Sequence, residues 1–193
     1  MASLTLATQN AHKVDELRRL LVPFGLSVAP LPPGIALPPE DGGSYSANAL
    51  LKARAAALAV GGPVIADDSG VEAAALGGRP GVHSARYAGE RASDEENLRK
   101  LIAEVPPGTA LRYVCLLAYV GEHGERLFSG DCAGTMAPLP RGTGGFGYDP
   151  VFAPVQFPGS TMAELSGAQK DAISHRAGAV RAFARWYLDA GLG

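Results

Sequence analysis

The sequence predicts an α/β protein on a mixed sheet, with α+β as the other architecture its pattern allows. Three observations carry this. Short apolar runs alternate with helical patterns through the first half, a β-rich hairpin interrupts the alternation, and a long helical segment closes the chain. Alternation marks parallel strands joined by crossover helices, and a hairpin adds antiparallel pairing. A mixed sheet of this kind favours two lobes flanking a cleft. No repeat and no long linker interrupts the chain, so residues 1–193 are expected to form a single domain.

The elements follow in order. Leu4 to Ala7 reads as a strand. From His12 a helix follows, with Val14, Leu17, Leu21 and Phe24 on one face and Gly25 ending it. A second strand lies around Leu26 to Ala29 and runs into PLPPGIALPPEDGG, too rich in Pro and Gly to be regular. Ser46 is placed to cap the next helix, whose core ANALLKARAAALA is mostly strong helix formers. GPVIADD is a buried strand expected to end at its two aspartates. SGVEAAALGGRPGVHSARYAG reads as a loop with a short helical piece, and Ser93 caps a helix through Glu104. LRYVCLLAYV and RLFSGDCAGTM form a hairpin across Gly121 to Gly124. A glycine loop, RGTGGFGYDPVF, enters a short strand, and one helix is expected from about Ala168 to Leu188.

Composition narrows the function. The 193 residues are 47% hydrophobic, enough for a real core. No apolar run approaches the ~18 residues that cross a membrane. No basic segment followed by an apolar core opens the chain, so a cytoplasmic location is expected. The formal charge is -2 with scattered basic residues, which argues against nucleic-acid backbone binding but permits one small anionic ligand. Cys115 and Cys132 lack metal-ligand spacing and read as reduced core residues.

The stretch LTLATQNAHKVDEL puts Thr8, Asn10 and Lys13 at a strand-to-helix junction. Unpaired backbone N–H groups and the positive end of a helix dipole attract anions there. Thr8 and Asn10 suit a plain helix cap equally well. The second constellation is Asp67-Asp68-Ser69-Gly70. Adjacent carboxylates on a buried strand need a partner or a cation, and strand alternation turns them opposite ways. One can serve a site while the other supports it. Mg²⁺ suits carboxylate oxygens completed by substrate phosphates and water, and Glu40 offers a second carboxylate. The third is Thr143 to Pro150, where glycines let backbone approach a ligand and an aromatic can stack on a flat ring. The fourth is Lys170 with Ser174, His175 and Arg176.

ATQNAHKVDEL, IADDSGVEAAALGGRPGVHSARYAG, GTGGFGYDPVF and MAELSGAQKDAISHR occur in the order and spacing of one family. Over essentially its whole length the chain resembles the inosine triphosphate pyrophosphatases, which remove deaminated purine nucleotides such as ITP, dITP and XTP. The resemblance implies an elongated ITPase-like α/β fold, a cleft between lobes, a homodimer and Mg²⁺. It implies that Thr8, Gln9, Asn10, Ala11, His12 and Lys13 bind substrate, with Thr8, Asn10, Lys13 and Lys52 on the triphosphate. Asp68 corresponds to the catalytic carboxylate, Asp68 and Glu40 to the metal ligands, and Ser69 to a substrate contact. Phe146, Gly147, Tyr148, Asp149, Lys170, His175 and Arg176 resemble the base-recognition wall. Two positions depart from the family's habit: Ala47 stands where it usually has Glu, and Met162 where it often has an aromatic residue.

The chemistry so implied is hydrolysis between the α and β phosphates, giving a monophosphate and pyrophosphate. A related pyrophosphatase for modified pyrimidine nucleotides, or a nucleotide-binding module without turnover, are the alternative functions. The module would not need an acidic pair beside a phosphate cradle.

Overall fold

A computed structural model describes residues 4–192. Six strands form one mixed sheet in the order β2-β1-β3-β4-β5-β6. These are β1 (Leu4–Leu6), β2 (Val28–Pro30), β3 (Val64–Ala73), β4 (Ala110–Gly121), β5 (Gly124–Met136) and β6 (Phe152–Pro154). Strand β1, next to the edge strand β2, pairs in parallel with it, Leu4 opposite Val28, and with β3, Leu6 opposite Ile65. At the other side β6 pairs antiparallel with β5. The expected mixed α/β architecture is therefore present.

Five α-helices accompany the sheet: α1 (Ala11–Leu21), α2 (Tyr45–Val60), α3 (Asp94–Glu104), α4 (Gly167–Ile173) and α5 (His175–Asp189). Helix α1 buries Leu17, Leu20 and Leu21, and Glu16 with them, an acid on an apolar face. A short 3-10 turn, Val22–Phe24, extends it to Gly25, whose left-handed φ of 69° stops the chain from continuing. Helix α2 starts earlier than Ser46 would allow, because Ser44 is extended and accepts a bond from Ala47 N. Its buried stripe is Asn48, Ala49, Lys52, Ala53 and Ala56. Alanines bring that face close to the sheet, and the two polar members need polar partners. Helix α3 has the expected Ser93 cap, in a reciprocal box with Glu96. At α2 the corresponding third position is Ala47, which cannot return that bond.

Two expectations fail for identifiable reasons. Strand β3 does not end at the aspartates but runs on to Ala73. Asp-Ser-Gly has turn chemistry, but the charges are paired and β3 has neighbours on both sides, so the ladder wins. The single C-terminal helix is broken at Ser174, which is extended (φ -66°, ψ 150°) and whose N–H closes α4 on Lys170 O. The break separates Lys170 on α4 from His175 and Arg176, which open α5.

The chain divides into two compact units, each assembled from separated segments. The first comprises residues 1–68, 115–130 and 176–193, and the second residues 69–114 and 131–175. In the first, one core gathers Leu6, Leu17, Leu21, Ile65, Leu117, Tyr119 and Phe183, and a smaller alanine-rich one lies under α2. The second unit's core includes Val71, Leu101, Tyr113, Cys132, Val151, Phe152 and Met162. Met162 is buried there as an ordinary core residue. Cys115 and Cys132 are both buried and free, as expected.

Candidate active site

In the first unit the turn from β1 into α1 is built by its own polar side chains. Thr8 Oγ1 accepts from Asn10 N, and Asn10 Oδ1 accepts from Lys13 N, each at 3.2 Å. Gln9, Ala11 and His12 are exposed on this turn. Capping and anion binding are compatible here, since one side-chain oxygen satisfies only one of the first-turn donors. Lys13 reaches back to the strand, its ammonium 3.2 Å from Asp67 Oδ2.

Asp67 and Asp68 take opposite sides of β3, as strand alternation requires. Asp67 is fully buried, and Arg176 donates to its Oδ2 through Nε at 3.3 Å and Nη2 at 3.2 Å. The same guanidinium bonds Glu16 at 2.5 Å, which explains the acid on the apolar face of α1. Burial alone would raise the Asp67 carboxyl, but Lys13, Arg176 and Lys52 outweigh it and hold it far below the usual range. Asp67 is an anion at neutral pH, and it pairs with two cations, Lys13 and Arg176.

Asp68 lives differently. Its Oδ2 accepts from Asn48 Nδ2 at 2.9 Å, while Asn48 Oδ1 accepts from Gly42 N at 2.8 Å. Burial first, and then the charge of Glu40, push its carboxyl above the ordinary value, against the pull of Lys52, Lys13 and Asn48. Lys52 is also buried, donating to Asp67 O at 2.7 Å and pairing with Glu40. Burial works against its charge, yet Asp67, Glu40 and Asp68 together raise its pKa, so it stays an ammonium.

The second unit holds a separate cluster around Asp149. Its Oδ2 accepts from Lys170 Nζ at 2.7 Å and from Phe146 N at 3.0 Å, and its Oδ1 accepts from Tyr113 OH at 3.0 Å. Lys170 Nζ also stands 5.1 Å from the centre of the Phe146 ring. Tyr113 stacks on His175 with ring centres 4.6 Å apart. Gly145, with φ 71°, lies against the Asp149 carboxylate so closely that a Cβ there would overlap it.

The model of the Ham1 family matches residues 4–186. The chain belongs to the Ham1 family. A protein named dITP/XTP pyrophosphatase from Symbiobacterium thermophilum is 47% identical over 187 residues, covering 94% of this chain and 91% of that protein. Another of that name, from Yersinia pestis, is 46% identical over 190 residues, covering 94% of this chain and 95% of that one. The solved structure of a HAM1 protein from Coxiella burnetii superposes with a TM-score of 0.85 at 35% identity, covering 98% of this chain and all of that one.

Within this Ham1-family chain, Glu40, Lys52 and Asp68 are brought together, with Lys13 sharing Asp67. Phe146, Asp149 and Lys170 are brought together in the other unit, with His175 tied in through Tyr113. Ser69 follows Asp68 on β3 and is half-buried. Five residues of the expected base wall are buried: Tyr148, Asp149, Lys170, His175 and Arg176. Arg176 is 2% exposed, with its guanidinium on Asp67 and Glu16. Tyr148 is turned inward, donating to Ser84 O at 2.7 Å, and Asp149 is buried beneath its loop. Gly147 supplies a left-handed turn with φ 62°. Sequence reasoning missed Glu16, Asn48 and Tyr113. A polar residue inside an alanine stripe signals Asn48, and an acid between Val14 and Leu17 signals Glu16. Tyr113 carries no such mark.

The donors also suit a hard cation. Asp68 and Glu40 act in one local field, since Glu40 helps raise Asp68, and Lys52 balances them. No group of three or more His, Cys, Asp or Glu side chains able to hold a metal occurs among the described residues. Two carboxylates, with phosphate and water supplying the other ligands, is the pattern Mg²⁺ favours.

Proposed function

We propose that this protein hydrolyses the triphosphates of deaminated purines, ITP, dITP and XTP, to the monophosphate and pyrophosphate. The observation that carries the reading is the buried Asp68, with its raised carboxyl, set among Asn48, Lys52 and Glu40. Membership of the Ham1 family, and the pyrophosphatase names of its relatives, support the same reading.

Lys13 and Lys52 offset the charge of the triphosphate, and the α1 turn, Thr8 to His12, offers it backbone donors. Asp68 and Glu40 would hold Mg²⁺, which when bound polarises phosphoryl oxygens and lowers the pKa of a coordinated water. Asp68 orients the attacking water and is the carboxylate placed to accept its proton. Ser69 contacts the substrate beside it.

At the other end of the nucleotide, Phe146 stacks on the base while Lys170 and His175 donate to it. Arg176 adds its guanidinium only by giving up a contact to Asp67 or Glu16. Hypoxanthine and xanthine present an acceptor oxygen at ring position six where adenine presents a donor amine. A site built from donors therefore rejects adenine, by as much as about 10⁴-fold. Tyr148 and Asp149 hold the loop from below.

We propose further that the protein acts in the cytoplasm as a homodimer. No helix among the described residues is long and apolar enough to cross a membrane. Sedimentation giving a fully active monomer at micromolar concentration would reject the dimer.

The deciding experiment is product analysis with ITP, with and without Mg²⁺. IMP and intact pyrophosphate, formed only with the metal, are the expected products; IDP and orthophosphate would sink the mechanism. Asp68→Asn keeps the shape and removes the charge, so turnover should collapse in a folded protein.

A further inference from the structure

We propose that Tyr113 is a positioning residue that locks the Phe146 loop and His175 into one base-reading surface. This rests on the assignment of Phe146, Lys170 and His175 to the base. Tyr113 lies on β4, inside a run that reads as ordinary core, and only 6% of it is exposed. It does two things at once. Its ring stacks on Phe152 at 4.2 Å and on His175 at 4.6 Å, with interplanar angles of 22° and 15°. Its hydroxyl donates to Asp149 Oδ1 at 3.0 Å. Phe152 belongs to the second unit's core, so the stack ties the imidazole to a rigid element.

Asp149 passes the hydroxyl's constraint onward. One of its oxygens accepts from Tyr113, and the other holds both the Lys170 ammonium and the backbone N–H of Phe146. Because the carboxylate is planar and rigid, fixing Oδ1 fixes the direction of Oδ2. The loop is pressed onto that carboxylate, since Gly145 leaves no room for a Cβ beside it. A buried carboxylate that loses a donor turns to recover one. Turning Asp149 moves Lys170 and Phe146 together, and a displacement near 1 Å in a recognition group costs up to about 100-fold. Tyr113 thus reaches the stacking ring through its hydroxyl and the imidazole through its own ring, without touching the base.

The test is Tyr113→Phe, which keeps the ring and removes the hydroxyl. Expected is a fall of about 10-fold in kcat/KM for ITP, carried mainly by KM, the size of one lost hydrogen bond to a charged group. ATP hydrolysis, lacking the matched contacts, should change little, so the ITP-to-ATP preference narrows by a similar factor. Inhibition by inorganic tripolyphosphate, which has no base, should be unchanged. A Tyr113→Phe protein that loses thermal stability but keeps both its ITP KM and its preference would overturn the proposal.

Two controls keep the outcomes apart. Phe146→Ala tests the base-reading assignment itself. If Phe146→Ala leaves the KM for both ITP and ATP unchanged, that assignment fails, and the inference with it. If Phe146→Ala raises both KM values while Tyr113→Phe keeps the ITP KM and the preference, the assignment stands and Tyr113 is rejected. Combining Tyr113→Phe with Asp149→Asn gives the second control. Effects through one shared bond are non-additive, whereas independent additive losses would count against the proposed route.

Discussion

Asn48 donates to Asp68 Oδ2 at 2.9 Å and at the same time accepts from Gly42 N at 2.8 Å. One fully buried amide therefore fixes the proposed catalytic carboxylate to the loop that carries Glu40. Asn48→Ala removes both bonds, and with them one of the groups that oppose the upward shift of Asp68. A hydrogen bond to a charged group contributes about 1.5–3 kcal/mol. We expect ITP turnover to fall by roughly 10- to 100-fold. Steady-state kinetics on a variant with a native circular dichroism spectrum checks this, and unchanged kcat would free Asp68 from any dependence on Asn48.

Asp67 predicts a pH dependence of stability. Lys13, Arg176 and Lys52 overcome the effect of burial and hold its folded-state pKa below the unfolded value. The folded protein then binds that proton more weakly than the unfolded chain does. The stabilisation is fully present above the unfolded value of about 3.9 and is lost as pH falls through the lowered folded one. Asp67→Asn forfeits it at every pH. The difference in urea-unfolding free energy between wild type and variant should therefore be largest near about pH 6 and shrink on acidification. A difference that stays constant to the lowest measurable pH would contradict the charge pairing.

Much of the fold was legible because its signals are local. The apolar spacing of α1, the Ser93-to-Glu96 box of α3 and the hairpin turn at Glu122-His123 each depend on a few neighbouring residues. The failures came where distant partners decide. Asp-Ser-Gly looks like a turn until Lys13 and Arg176, far away in sequence, neutralise Asp67 and let β3 continue. Ser174 sits among helix formers, and only its extended backbone shows that Lys170 ends one helix while His175 and Arg176 open the next. Of the proposed phosphate-binding residues, Thr8, Asn10 and Lys13 were marked by their strand-to-helix junction, whereas Lys52, in a run of helix formers, came only from the family resemblance. Tyr113 did not, since nothing in LRYVCLLAYV distinguishes a core tyrosine from one whose hydroxyl holds an aspartate.

The cysteines give a chemical check on the core. Burial pushes the Cys115 thiol up to about 12, with Asp67 adding repulsion, and pushes Cys132 up to about 11, with Asp131 and Asp149 adding theirs. Only the thiolate reacts, and an ordinary thiol near pKa ~8.5 would be about one quarter ionised at pH ~8. Both thiols should therefore resist a disulfide reagent such as DTNB in the native protein. Two per chain should react at once in denaturant. A fast-reacting thiol in the native state would place that cysteine outside the core, and fewer than two in denaturant would mean a disulfide.

Arg176 bears on both stability and specificity, and the two can be separated. Its guanidinium spans Asp67 and Glu16 inside the first unit. Arg176→Ala leaves two buried carboxylates without their shared cation, a loss of about 3–5 kcal/mol. That variant should unfold at markedly lower urea, which would blur any kinetic result. Arg176→Lys is the better probe, because it keeps the charge and loses the planar fork. One ammonium cannot hold both carboxylates and also offer a directed donor to the base oxygen. We expect Arg176→Lys to keep most of the stability, to slow ITP hydrolysis by about 10- to 100-fold, and to slow ATP hydrolysis less, narrowing the preference. Parallel measurement of kcat/KM for both nucleotides decides it. Equal losses on ITP and ATP would confine Arg176 to holding Asp67, and through it Lys13, and would leave base reading to Lys170 and His175.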